Sequence, residues 1–315
     1  MRILLTGSTG FVGSHVLRKL LAGGRDVAVL MRRNSDTWRI RDVVGRAARI
    51  EADLRDLEPA YAAIANFAPE TVIHLAWSGV GNQFRNDQSQ IVNITQSVAL
   101  ARLAHRVGAR HWVGLGSQAE YGPCEHPVDE ETPTRPTTLY GVAKLSSGLL
   151  ARHLCDQLGL RFAWLRLFSC YGPGDDPAWM IPYLILTLLA GKKPALTAGA
   201  QLWDYLYVAD AAEAISQVAL TPTAAGAFNL GSGRPVPIRS IAERVRDLVD
   251  PMLPLGLGEV PYRPDQVMRL EADVRRLREA TGWSPETDLD DGLRQTVKWF
   301  RRQRATGGGQ TATLS

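Results

Sequence analysis

The stretch TGSTGFVG, Thr6–Gly13, decides how the rest of the chain is read. It follows the short run RILL and opens FVGSHVLRKLLAGG, where Val12, Val16, Leu17, Leu20 and Leu21 share one helical stripe before a Gly-Gly stop. A strand therefore ends here and a helix begins. Gly7, Gly10 and Gly13 stand where a β-carbon would crowd the turn. The helix start offers unpaired N–H groups and about half a positive charge, which suits a pyrophosphate. In this strand–turn–helix setting the glycine pattern signals a nucleotide site.

Working outward, DVAVLMR, RIEADL, TVIHLAW, HWVGLGS and RFAWLRLF read as further strands, separated by helical segments such as EPAYAAIANFA and NITQSVALARLAHRVG. Continuous apolar strands alternating with helices predict an α/β fold, a doubly wound parallel sheet covered on both faces. After Ser169 proline and glycine increase and the alternation breaks. DYLYVADAAEAISQVAL and GAFNLGSG are expected to return to the main sheet. The expected organisation is a Rossmann domain at 1–168 and 203–233, a smaller, mainly helical substrate domain at 169–202 and 234–304, and a disordered tail at 305–315.

The 315 residues carry a net charge of +4. The basic residues concentrate late (Arg275, Arg276, Arg278, Arg301, Arg302, Arg304) without interleaved aromatics, so no nucleic-acid partner is expected. Three widely spaced cysteines, Cys124, Cys155 and Cys170, have neither disulfide nor metal spacing. No metal site is expected, and the thiols fit a reducing, cytoplasmic setting. WMIPYLILTLLAG is too short to span a bilayer and reads as a buried helix, so no membrane partner is expected.

Tyr140 and Lys144, in YGVAK, lie one helical turn apart and share a face. A free tyrosine titrates at about 10, and bringing it close to neutrality takes roughly 4 kcal/mol of differential stabilisation. A nearby ammonium supplies part of that. Ser117 ends the fifth strand in GLGSQAEYG.

The glycine spacing, YGVAK and the serine before it resemble the extended short-chain dehydrogenase/reductase superfamily, in its nucleotide-sugar branch. The resemblance runs from Arg2 to about Arg302. It implies a catalytic set of Ser117, Tyr140 and Lys144, with Asn93 near the lysine; Asn93 reads equally as a polar helix-start residue. It implies cofactor contacts from Gly7, Thr9, Gly10, Phe11, Val12, Gly13, Asp53, Leu54, Leu75, Ala76 and Leu167, besides Tyr140 and Lys144. Where NAD-users of the superfamily have aspartate after the second strand, this chain has Met31-Arg32-Arg33. Arginines there accommodate a 2′-phosphate and give NADP(H) about a ten- to hundredfold preference, with NAD the alternative. The bland reading makes them turn residues pairing with Asp36. Substrate contacts are implied for Trp77, Gln118, Ala119, Glu120, Ser169, Ile181, Trp203, Tyr205 and Arg263, the last in YRPDQ. Three departures from the branch's motifs, Ser169, Trp203 and Ala209, weaken the substrate set.

Three chemistries compete. Dehydratases of the branch carry Asp-Glu after the serine or threonine; Gln118-Ala119 supply no acid or base for eliminating water. A 4-epimerase needs only the tyrosine and a retained cofactor, usually NAD. A ketoreductase needs hydride from NADPH, Tyr140 as general acid and Ser117 on the carbonyl oxygen. GSQAEYG and WDYLYVAD resemble bacterial reductases of nucleotide-linked 4-keto-6-deoxyhexoses, including CDP-abequose synthases, which serve surface-polysaccharide precursors. The expected substrate is a nucleotide sugar. A non-catalytic cofactor-sensing protein is the reading from another class, opposed by the intact Ser117, Tyr140 and Lys144. The resemblance also implies a homodimer joined as a four-helix bundle by Asn93–Val107 and Tyr140–Leu158.

Overall fold

The computed structural model describes residues 1–264 and 266–305. Its centre is a sheet of seven parallel strands. Strand β1 (Arg2–Thr6) lies between β2 (Asp26–Met31) and β4 (Thr71–His74). Beyond β2 lies β3 (Ala48–Glu51); beyond β4 come β5 (His111–Ser117), β6 (Arg161–Leu167) and Gly226–Leu230 at the edge. The strand order reverses between β1 and β4. In such sheets the crevice for a ligand opens there, at the carboxyl ends of the strands.

Burial explains the strand sequences. Ile3, Leu4 and Leu5 are all fully buried, because helices cover both faces and no side of β1 meets water. One face packs on α1 (Phe11–Ala22) and α6 (Val208–Leu220), which bring Val16, Leu17, Leu20, Ile215 and Val218 into a single core. The short α8 (Arg275–Thr281) adds Leu277 to it. The other face packs on α2 (Tyr61–Phe67), α3 (Gln90–Arg106) and α4 (Leu139–Leu158). There the rings of Trp112, Phe162 and Trp164 stack across β5 and β6 at centroid distances of 5.6 to 6.4 Å. A third core lies under α5 (Met180–Leu189), α7 (Ile238–Val249) and α9 (Leu289–Ala305), so the later part of the chain is helical as expected. Among the described residues no helix is long and apolar enough to cross a membrane.

The structure corrects two expectations. Only Gly226–Leu230 rejoins the main sheet. Tyr205–Tyr207 pairs instead with Ser169–Tyr171 in a separate ladder. The physical reason is that the free edge of β6 is already taken: the Phe168 amide, just past β6, donates to Leu230 O at 2.9 Å. The expected tail also starts too early. Ala305 closes α9, and residues 306–315 lie outside the described residues.

Candidate active site

The glycine turn is built by close approach. Gly7 has φ +74°, and a β-carbon on it would lie 2.5 Å from Ala76 N. The turn is thereby pressed against Leu75 and Ala76 at the end of β4. Gly10 precedes α1, and no side chain caps that helix. No acidic residue stands in its first turn. Ser8 Oγ is buried without a partner beside it. An uncapped, acid-free helix start with an orphaned hydroxyl fits a bound dinucleotide phosphate. Gly7, Thr9, Gly10, Phe11, Val12, Gly13, Leu75 and Ala76 converge here. Leu54 and Leu167 are half-buried in the stretches after β3 and at the end of β6.

A hydrogen-bond chain ties this turn to α3. Thr6 Oγ1 accepts the Ala76 amide at 3.3 Å and lies 2.8 Å from His74 Nδ1. His74 Nε2 lies 3.0 Å from Ser97 Oγ, and that hydroxyl donates to Asn93 O at 2.9 Å. Since Ser97 spends its proton on Asn93, His74 must donate from Nε2 and accept at Nδ1. Burial lowers its pKa to about 3, so it stays neutral in this role. The sequence alone does not mark His74, because no residue pattern distinguishes a strand-end histidine of this kind from an ordinary core one.

Asn93 does not stand at the helix start, which is at Gln90. It is buried, and its carboxamide brackets one residue: Oδ1 accepts Ser78 N–H at 2.9 Å and Nδ2 donates to Ser78 O at 3.0 Å. Asn93 thus fixes the loop after β4. Trp77 in that loop donates its indole N–H to Gln90 Oε1 at 2.9 Å.

Ser117 and Tyr140 meet because two turns are fitted to each other. Thr138 caps α4, accepting the Gly141 amide at 3.1 Å. A β-carbon on Gly141 would lie 2.4 Å from Ala119 O, so glycine lets the helix start touch the turn after Ser117. Tyr140 is buried, and Ser117 lies close enough to favour its ionised form. Burial raises its pKa; Ser117 and the charge of Arg85 oppose that rise. Lys144 Nζ donates to Leu115 O at 2.7 Å and lies 3.7 Å above the Trp77 ring, but 5.9 Å from the centroid of the Tyr140 ring. Desolvation lowers this lysine to about 7.

Glu120 was expected among the substrate contacts, and here the structure disagrees. It is fully buried. Its carboxylate accepts Ser117 N–H at 2.9 Å, Trp164 Nε1–H at 2.9 Å and Arg166 Nε–H at 2.8 Å. Arg166 also donates to Tyr121 Oη, which donates to Asn229 Oδ1 at 2.7 Å. All carboxylate capacity points into the protein, beneath Ser117. Ile181 is likewise withdrawn: only 1% exposed, it sits in the third core. Its helix is apolar all round, so the pattern marked no outward face.

The remaining expected contacts spread around the crevice. Gln118 is half-buried and Ala119 buried in the turn after Ser117. Trp203 Nε1 donates to Ser169 Oγ at 2.6 Å, which joins two of the departures from the motifs to each other. Tyr205 packs edge-on against Tyr171, and Arg263 lies on an exposed loop. On the cofactor side, Arg32 and Arg33 are exposed after β2. Asp36 does not pair with them; its Oδ1 accepts the Trp38 amide at 3.0 Å. Asp53 is held by Arg55 at 2.6 Å, which pulls its pKa down to about 2.

Fold and site together set a Ser-Tyr-Lys cluster at the carboxyl ends of a parallel sheet, near a glycine turn suited to a dinucleotide phosphate. Residues 3–231 match the NAD dependent epimerase/dehydratase family, and the chain belongs to that family. A dTDP-glucose 4,6-dehydratase of Streptomyces niveus is 30% identical, the alignment covering 97% of this chain and 94% of that relative. A UDP-glucose 4-epimerase of Mycolicibacterium smegmatis is 28% identical over 96% of this chain and 99% of its own. Among solved structures, the UDP-glucose 4-epimerase of Thermotoga maritima with UDP-glucose superposes with a TM-score of 0.85 at 26% identity, covering 96% and 100% of the two chains. That of Thermus thermophilus, in complex with NAD, gives 0.82 at 27% identity over 96% and 99%.

Proposed function

We propose that this chain transfers a hydride and a proton at C4 of a nucleotide-linked hexose without eliminating water, and that it works as an NADPH-dependent reductase of a 4-keto-6-deoxyhexose. The carrying observation is the buried Tyr140 set beside Ser117, in a site whose next two residues, Gln118 and Ala119, offer no acid or base. When bound, the nicotinamide supplies the hydride. The chain's own work is to hold the sugar's C4 oxygen between the two hydroxyls. Tyr140 gives it a proton, and Ser117 donates a hydrogen bond to the developing charge. Gly7 to Gly13 would hold the pyrophosphate, and Lys144 would meet the nicotinamide ribose once drawn off Leu115 O.

The NADP(H) reading rests on Arg32 and Arg33, both exposed at the end of β2, where Asp36 does not pair with them and Arg32 lies within electrostatic reach of Asp53. Purified protein should consume NADPH in the presence of a nucleotide-linked 4-keto-6-deoxyhexose. Replacing both arginines by alanine should lower the kcat/KM preference for NADPH over NADH by about ten- to hundredfold. An unchanged preference would remove the arginines from cofactor choice; no NADPH consumption at all would defeat the reductase reading. The second reading is a 4-epimerase, favoured by the epimerases among the relatives. It requires tightly held NAD⁺, released on denaturation, and isomerisation of a nucleotide sugar with no added cofactor.

We also propose a homodimer formed by α3 and α4. These helices pack on each other and leave Ile91 (55% exposed), Leu149 (59%) and Leu150 (50%) on the surface. Sedimentation should give twice the chain mass, reduced toward the monomer by Leu149→Glu with Leu150→Glu; a monomeric parent protein would refute it.

A further inference from the structure

Arg85 lies in the loop between β4 and α3, far in sequence from the tyrosine. The structure fastens it there through the main chain. Arg85 O accepts the Tyr140 amide at 2.8 Å, and Asn86 Oδ1 accepts the Leu139 amide at 3.1 Å. Two consecutive loop residues thus take up free N–H groups at the start of α4. This places the guanidinium carbon 5.4 Å from the centroid of the Tyr140 ring. Arg85 Nε is buried and makes no hydrogen bond. Arg85 as a whole is half-buried, and no carboxylate pairs with its guanidinium among the described residues.

The other groups facing Tyr140 sharpen the contrast. From its own helix comes Lys144, whose ammonium is engaged by Leu115 O and the Trp77 ring. From the turn after β5 comes Glu120, whose negative charge is answered by Arg166 on β6. From the end of β5 comes the Ser117 hydroxyl. Among the described residues Arg85 is the cation closest to the phenol ring and the one with no acceptor of its own. An opposite charge within about 4–6 Å favours the ionised form of a group appreciably, and more so where water is excluded.

We infer that Arg85 is a second cation of the Tyr140 site: anchored by the tyrosine's own backbone amide, its guanidinium stabilises the negative charge left on the phenol oxygen after the proton has gone to the sugar. It acts through Tyr140, so it is a positioning residue. Lys144 is thereby free to serve the cofactor ribose. The inference rests on the proton-transfer role given to Tyr140 above, but not on the identity of the sugar or on the choice between NADP and NAD.

The test is an ultraviolet phenolate titration of the protein saturated with NAD⁺ or NADP⁺, whichever raises its unfolding temperature more. Parent protein, Arg85→Met and Arg85→Lys are each measured against the same protein carrying Tyr140→Phe, which isolates the one phenol. Arg85→Met should move its midpoint up by about one to three pH units, beyond the alkaline end of the range if the parent midpoint is already high. Arg85→Lys should keep it close to the parent value. In the sugar assay the pH limb of kcat should move in the same order, with KM little changed. A midpoint and limb that stay put in Arg85→Met, or a change confined to KM, would overturn the inference. Because the titration needs no sugar substrate, a failed reductase assay with a shifted midpoint defeats the proposed function and leaves Arg85 standing.

Discussion

Tyr140→Phe is expected to lower kcat by about a hundred- to ten-thousandfold while leaving the protein folded. Phenylalanine keeps the ring that Trp77 meets edge-on at 6.1 Å and Arg85 meets at 5.4 Å, so packing survives. What goes is the hydroxyl beside Ser117, at a cost of about 1 kcal/mol or less in stability. No other group near the C4 position takes over: Gln118 and Ala119 hold no transferable proton, and the Glu120 carboxylate is turned inward under three donors. Cofactor binding, read by thermal shift, should survive in the variant. A loss below tenfold would place the proton donor elsewhere.

The second large effect concerns stability. Glu120→Ala should cost about 3–5 kcal/mol, read from urea unfolding. The substitution strands the Arg166 guanidinium in a buried place and removes the acceptor for Ser117 N–H and Trp164 Nε1–H. Replacing both partners, Glu120→Leu with Arg166→Met, should recover only the share due to the stranded guanidinium, because Ser117 N–H and Trp164 Nε1–H still lack their acceptor. If the single variant matches the parent, the pair is dispensable and Ser117 is held by something other than Glu120.

The sheet was legible in the sequence because a strand buried on both faces must be apolar throughout, as Ile3–Leu5 and Ala163–Leu165 are. The partner of Tyr205–Tyr207 was not, since pairing depends on which edge remains open, and the Gly226–Leu230 strand had closed it. The same division runs through the site. Ser117, Tyr140 and Lys144 can be read because a turn and one helical repeat fix their relation. Arg85 cannot: NQFRND carries no mark of its own, and only a main-chain bond between residues 85 and 140 brings it in. Glu120 was misread for a related reason. Its partner Arg166 lies on the neighbouring strand, and a glutamate in a loop-like stretch looks solvent-facing until that strand is placed beside it.

The proposed reaction is reduction of a C4 ketone by NADPH with no loss of water. NADPH bearing deuterium at the transferable position, supplied with a nucleotide-linked 4-keto-6-deoxyhexose, puts it to the test by mass spectrometry and NMR of the product. One deuterium is predicted at C4, in amount equal to the NADPH consumed, with every oxygen of the substrate retained. A product that has lost water, or an isomerised sugar that carries no deuterium, would contradict it.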